Sequence, residues 1–385
     1  MFSLDHKLAT ITVVLPAEQT QEVARELTAD RGTQALEWQA RGTLLHEHWL
    51  KRWFPPISPA KRMLQMTVPH SEVDHIVNTA ISVGKLNYQA TGAVFATPHD
   101  HAYLGSGFQT WPGEETQPRF DDTLKSTLTA IYCIVGHNVS DRICKAAVNS
   151  GAHGPIIYYC EGRGLRDRLG WLRITKEHEK EVLMVLCDEA DSEEVFDAMA
   201  KAGGLHLPGR GFMYRLKIDK GMFNLPSRVA HHHYDASMQQ VINAIDHLQG
   251  HTHWRDQTVF DIGEQGRGTG LESLLEQKHA PSPQTCLSAI VPSSQMHLLI
   301  NLLLDTGVPG LNFSYAKLRD HSLKNRVAGE YALIRSITNQ STAEQICGVI
   351  DTHAEDAGLK NLAVTLNTVS RVATYVPGRV DYRAA

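Results

Sequence analysis

Along the chain, short runs filled almost entirely by apolar residues give way to stretches where apolar residues recur every three or four positions, and this alternation returns three times. The first apolar run is Ala9-Thr-Ile-Thr-Val-Val-Leu15, followed by Pro16 and a helical pattern to about Asp30. The second is Leu128-Thr-Ala-Ile-Tyr-Cys-Ile-Val135, with Asn138 and Ser140 as caps of a helix to about Ser150. The third is Cys286-Leu-Ser-Ala-Ile-Val291, with Pro292 and Ser293 before a helix to about Thr306. Dense β-branched runs predict strands, and Pro or Ser just ahead of a periodic stretch predicts a helix start.

Each opening continues in the same order. A second strand is predicted at Ala35–Ala40, Ile156–Cys160 and Leu311–Tyr315, and a third at Met63–Val68, Val182–Cys187 and Tyr331–Ile337. A second amphipathic helix follows at Ser71–Val83, Ser192–Ala202 and Thr342 to about Asp356. A last strand closes each copy at Ala93–Thr97, Phe212–Ile218 and Val372–Val376. The pattern reads βαββαβ three times, the split-βαβ unit with an antiparallel sheet and both helices on one face. The expected fold is therefore α+β, three tandem ferredoxin-like modules at 8–98, 128–228 and 285–378, with linkers at 99–127 and 229–284. The open face of each sheet needs cover, and an intrachain pseudo-trimer with the faces turned inward supplies it. In the first linker Trp111 and Phe120 are candidate anchors; in the second, Ser237–Leu248 reads as a helix.

Composition narrows the function. A net charge of -5 without a long basic block argues against nucleic acid or an anionic membrane as partner. No apolar run reaches the roughly 18 to 20 residues that span a bilayer, and the acidic N-terminal stretch does not read as a leader. Six cysteines without a CxxC or a short-range framework fit buried thiols in a reducing cytoplasm.

The most specific stretch is Gly203-Gly-Leu-His-Leu-Pro-Gly-Arg-Gly-Phe-Met-Tyr-Arg-Leu216. It resembles the B-loop and final strand of PII-like signalling proteins. Gly151-Ala-His-Gly154 resembles the family's turn into its second strand, and Glu161-Gly-Arg-Gly164 the base of its T-loop. The resemblance runs from Leu128 to about Val229, while the outer copies share only the order of elements. It implies an adenine nucleotide (ATP, ADP or AMP) held in a cleft between modules, with Gly162, Arg163, Gly164, Gly209, Arg210 and Gly211 as effector-binding residues. The residue types suit an anion, because glycine lets backbone N–H groups approach and arginine offers a planar charged fork. The chain departs from the family where Phe212 stands in place of a common phosphate-contacting lysine. Copy one has Ala90-Thr-Gly92 at the corresponding turn, and copy three is assigned Val369-Ser-Arg371, so at most one intact cleft is expected.

The T-loop counterpart, Leu165–Glu179, carries Arg166, Arg168, Trp171 and Arg173, a combination favoured at protein contacts. It has no tyrosine, which removes the tyrosine modification of some PII proteins. The copy-one counterpart, Thr43–Lys61, holds Trp49, Trp53 and Phe54 and suggests packing between copies. Histidine is abundant, 21 residues, with clusters at His46/His48, His99/His101, His231–His233 and His251/His253. An HxH pair puts both imidazoles on one side of a strand. The weak metal candidates are His231, His233, His251 and His253. No Walker A, Rossmann, G-x-S-x-G or H-E-x-x-H pattern is present, so an enzyme is not expected. The expectation is a cytoplasmic regulatory protein that senses a small effector and acts on a protein partner, such as a transporter or metabolic enzyme. The alternatives are a ligand-free interaction protein of the same fold and a histidine-based metal binder.

Overall fold

The structure, a computed structural model, describes residues 8–31, 34–42, 60–88, 91–105, 124–164, 179–207, 209–223, 284–320, 327–353, 358–359 and 361–374. The first stretch holds β1 (Leu8–Pro16), α1 (Thr20–Arg31), β2 (Gln34–Gly42), β3 (Ala60–Pro69), α2 (Val73–Gly84), β4 (Ala93–Pro98) and the short β5 (His101–Leu104). The second holds β6 (Leu128–Gly136), α3 (Ser140–Asn149), β7 (His153–Gly164), β8 (Glu179–Asp188), α4 (Ser192–Gly203), β9 (Gly211–Ile218) and β10 (Lys220–Phe223). The third holds β11 (Gln284–Pro292), α5 (Met296–Asp305), β12 (Gly310–Asp320), β13 (Val327–Asn339), α6 (Gln340–His353), β14 (Ala363–Val369) and β15 (Arg371–Thr374). Among the described residues no helix is long and apolar enough to cross a membrane.

All strand pairings are antiparallel. Within each unit of four long strands the order is last, first, third, second: β4-β1-β3-β2, β9-β6-β8-β7 and β14-β11-β13-β12. The units are then stitched in a ring. The end of β2 pairs with β7 (Arg41 opposite Ile157), the end of β7 with β12 (Gly164 opposite Gly310), and the end of β12 with β2 (Lys317 opposite Glu37). Three four-residue strands form a second ring: β5 pairs with β14, β15 with β9, and β10 with β4. Pairing across units satisfies backbone donors and acceptors that would otherwise sit at open sheet edges.

The strands are apolar on both faces because both faces are covered. Along β6, Leu128, Ala130, Tyr132 and Ile134 turn into one central core, while Ile131, Cys133 and Val135 turn toward the helices. That is the two-residue period of a strand with a buried environment on either side. The central core gathers Leu36, Trp38 and Phe95 from the first unit, Tyr158 and Tyr214 from the second, and Cys286 and Leu333 from the third. Each outer face has its own helix-covered core, centred on Val23, Leu27 and Ile76, on Ile143, Phe196 and Met199, and on Leu299, Leu303 and Ile346. Truncating a residue such as Leu64 or Leu303, each fully buried, to alanine typically costs about 2 to 5 kcal/mol.

Two sequence-based expectations need correcting. The last strand of the third unit is Ala363–Val369, not Val372–Val376; the latter overlaps β15, which serves the second unit's sheet. The turn ahead of that last strand is therefore at Leu362, and Val369-Ser-Arg371 joins the end of β14 to the start of β15, with only Ser370 between them. The linker 99–127 contains β5, and the linker 229–284 is preceded by β10, neither of which the apolar pattern marks. Trp111, Phe120, Trp49, Trp53, Phe54, His46, His48 and the helix expected at Ser237–Leu248 lie outside the described residues. All six cysteines are free thiols, buried except for the half-buried Cys347.

Candidate functional site

The B-loop counterpart follows α4. That helix ends at Gly203, and Gly204 adopts the left-handed conformation (φ 64°), sending its N–H back to the Ala200 and Lys201 carbonyls. Gly209 (φ 76°) and Gly211 (φ 126°) complete the turn into β9. A Cβ on Gly211 would stand 2.1 Å from the Ile134 carbonyl oxygen of β6. A Cβ on Gly92, at the same place in the first unit, would stand 1.9 Å from the Val14 carbonyl oxygen. These two glycines are therefore required by the approach of their own sheet. A bulky residue at Gly211 would therefore meet β6 before it met any ligand. Gly209 faces open space, and Arg210 beside it is exposed, without a side-chain partner among the described residues.

The T-loop base sits at the same end of the sheet, on the opposite edge. Gly162, Arg163 and Gly164 are the last residues of β7 and pair with Asn312, Leu311 and Gly310 of β12. The row Gly211–Val135–Glu181–Tyr159 crosses the four strands of this unit. Three strand spacings, about 14 Å, separate the two glycine clusters. Between them lies Lys180, opposite Gly136 on one side and Cys160 on the other. Its Cγ is 3.6 Å from where a Gly162 Cβ would be, and its Nζ is 3.9 Å from where a Gly136 Cβ would be. The lysine thus lies across the sheet end between the two loops. It has no ion pair among the described residues, and neither has Arg163 or Arg210. Lys180 lies on β8, two strands away from Phe212 on β9, and the sequence reading did not single it out.

The three seams between units differ in how they are filled. At the seam of β2 with β7, Arg41 reaches Glu181 (3.3 Å), the Ser140 hydroxyl (3.3 Å) and Asp141 (3.5 Å). At the seam of β12 with β2, Glu37 accepts from Arg62 (2.5 Å) and Arg319 (2.7 Å). Glu181 and Glu37 are both buried, so each seam is closed by a carboxylate held out of water and paired with partly exposed arginine. The seam of β7 with β12 has no such pair among the described residues. It presents Arg163, Glu161 and two tyrosines, Tyr159 and Tyr315, that are 57% and 51% exposed. Ser314 fixes it by donating to the Tyr159 carbonyl at 2.9 Å.

The counterpart of Lys180 also shows how the units diverge. In the first unit Lys61 occupies that position opposite Pro16, but it is buried, and its Nζ donates to the Thr91 carbonyl at 3.2 Å. Burial lowers its pKa from the usual lysine value. In the third unit the position is Tyr331, opposite Pro292. Only in the second unit does a half-buried lysine stand there.

Arg166, Arg168, Trp171 and Arg173 of the partner-contact loop, and the metal candidates His231, His233, His251 and His253, lie outside the described residues. Among the described residues no three His, Cys, Asp or Glu side chains come together as a metal site. No family model matches the sequence, and no curated protein matches it. Among solved structures, the chain is similar to an aspartate kinase from Synechocystis at 10% identity and a TM-score of 0.20. That similarity covers 94% of this chain and 44% of the kinase, so the chain spans less than half the length of that protein. A likeness at this level carries no argument about function.

Proposed function

We propose that the protein is a PII-like regulator in which one chain supplies three tandem modules arranged as an intrachain pseudo-trimer, with one working effector cleft at the end of the second module. The cleft takes an adenine nucleotide (ATP, ADP or AMP) through Lys180, Arg163 and Arg210, with Gly162, Gly164 and Gly209 leaving the backbone open to the phosphates. The observation that carries this reading is the contrast between seams: two are closed by Arg41–Glu181 and Glu37–Arg319, while at the third no cation is ion-paired among the described residues. Cations already neutralised by buried carboxylates have little to offer a phosphate, whereas uncompensated ones form charge-assisted hydrogen bonds with it. Tyr159 and Tyr315 offer aromatic faces to a base at the same seam. The loop with Arg166, Arg168, Trp171 and Arg173 is assigned to a protein partner, a transporter or metabolic enzyme, whose contact the bound effector would set.

Calorimetry with ATP, ADP and AMP tests the assignment. Lys180→Ala and Arg210→Ala should each weaken nucleotide binding by about 1.5 to 3 kcal/mol, the usual loss for a hydrogen bond to a charged group. Lys61→Ala should leave nucleotide affinity unchanged. Wild-type protein that binds none of the three would leave an interaction protein of this fold without an effector. Equal losses on changing Lys61 and Lys180 would place the cleft elsewhere.

A further inference from the structure

The three sheets bring one cross-strand pair each to the same level of the central core: Thr12 with Gln65, Tyr132 with Met184, and Ser288 with Arg335. All of these but Met184 border a partly open cavity with about 30 Å³ of space for water-sized occupants. That is room for about two water-sized occupants. The threonine hydroxyls of residues 10, 97 and 365 complete much of its wall.

Arg335 is the unusual member. It is 8% exposed, yet among the described residues it has no carboxylate within ion-pair distance. It donates to the Tyr158 hydroxyl at 2.7 Å and stacks 5.1 Å from the centre of the Tyr132 ring. A guanidinium has five N–H groups, and this is its one hydrogen bond to a described residue. Among the described residues its surroundings bring no negative charge. Burial raises the pKa of Tyr132, Tyr158, Tyr214 and the Cys286 thiol, so all four are neutral. Nor does a second cation compete. His99 at the cavity wall bonds Thr10 (2.7 Å) and Asn367 (3.0 Å), and burial holds it uncharged. Gln65 has a buried amide oxygen with no partner among the described residues. Oxygen and nitrogen of such an amide exchange places by a half-turn, which presents the NH₂ donors instead.

A buried cation without a counter-charge is costly, and the groups around the cavity are overwhelmingly donors or rotatable hydroxyls. We propose that this cavity binds a small monovalent anion, of the class of chloride, bromide or nitrate, as the counter-ion of Arg335. The site is separate from the nucleotide cleft, lying among the inward sheet faces.

The test compares melting temperatures of the full chain in sodium chloride, bromide or nitrate with sodium gluconate at equal ionic strength, gluconate being too large to enter. The expected result is a saturable rise of about 2 to 4 °C with the small anions only. The rise should vanish in Arg335→Met. Because that variant removes a core residue, Thr365→Val serves as a milder second change and should shift the half-saturating anion concentration several-fold upward. Crystals grown in bromide should show an anomalous peak beside Arg335. No anion-specific rise in the wild type, an undiminished rise in Arg335→Met, or a bromide-free cavity holding water alone would each overturn the proposal.

Discussion

At the scale of single residues, glycine positions were easy to read and their cause was not. The sequence marks Gly209 and Gly211 as a turn running into a strand, but only the fold reveals that Gly211 faces the Ile134 carbonyl and Gly209 faces nothing. The two should therefore behave differently on substitution. Gly209→Ala costs only its left-handed backbone, about 1 kcal/mol. Gly211→Ala adds a steric conflict with β6 and should cost about 2 kcal/mol or more, as should Gly92→Ala against β1. Urea unfolding of the three variants checks this, and equal losses at Gly209 and Gly211 would contradict it. Lys180 escaped the sequence reading because its role depends on register. The run Glu179-Lys-Glu181 looks like an ordinary solvated strand start until Gly136 and Cys160 are placed on either side of it.

At the scale of elements, the long strands and helices were legible because each is apolar on a face that its own unit buries. The three short strands β5, β10 and β15 were not. Each is four residues long, and its partner lies in another unit, so nothing local distinguishes it from a loop. The same remoteness displaced the predicted final strand of the third unit onto β15. The connection between β4 and β5 also carries His99, which ties β1 to β14 through Thr10 and Asn367. Burial lowers its pKa from the usual 6.5 to about 4. The folded protein therefore holds His99 neutral at pH values where the unfolded chain protonates it. Its contribution is full above about pH 6.5 and is lost as pH falls toward 4. Between pH 7 and pH 5 this one group should withdraw about 2 kcal/mol of stability. Denaturant titrations of wild type and His99→Gln at both pH values isolate it, since other titrating groups are common to the two. An identical pH dependence would show that His99 is already charged in the folded state.

At the scale of the whole molecule, the two rings of strand pairing leave each unit dependent on both of the others. β10 completes the first unit's sheet, β5 the third's, and β15 the second's. The reading of three modules that close on themselves within one chain predicts the mass of one chain, or of a small dimer, in light scattering. An obligate trimer of full-length chains would count against it. The order of elements announced such a ring only indirectly, through three open sheet faces that needed cover.

Joining the three units in one polypeptide also has a consequence at its centre. Gln65, Met184 and Arg335 hold matching places in their three sheets. Three identical chains assembled around that point would have to repeat whichever side chain stood there. An arginine would arrive three times, and three positive charges would crowd a space with room for none of their counter-ions. Covalent linkage removes that arithmetic. One strand can carry a cation, the next an amide and the third a thioether, so a solitary charge can occupy a place that symmetry among separate subunits would deny it.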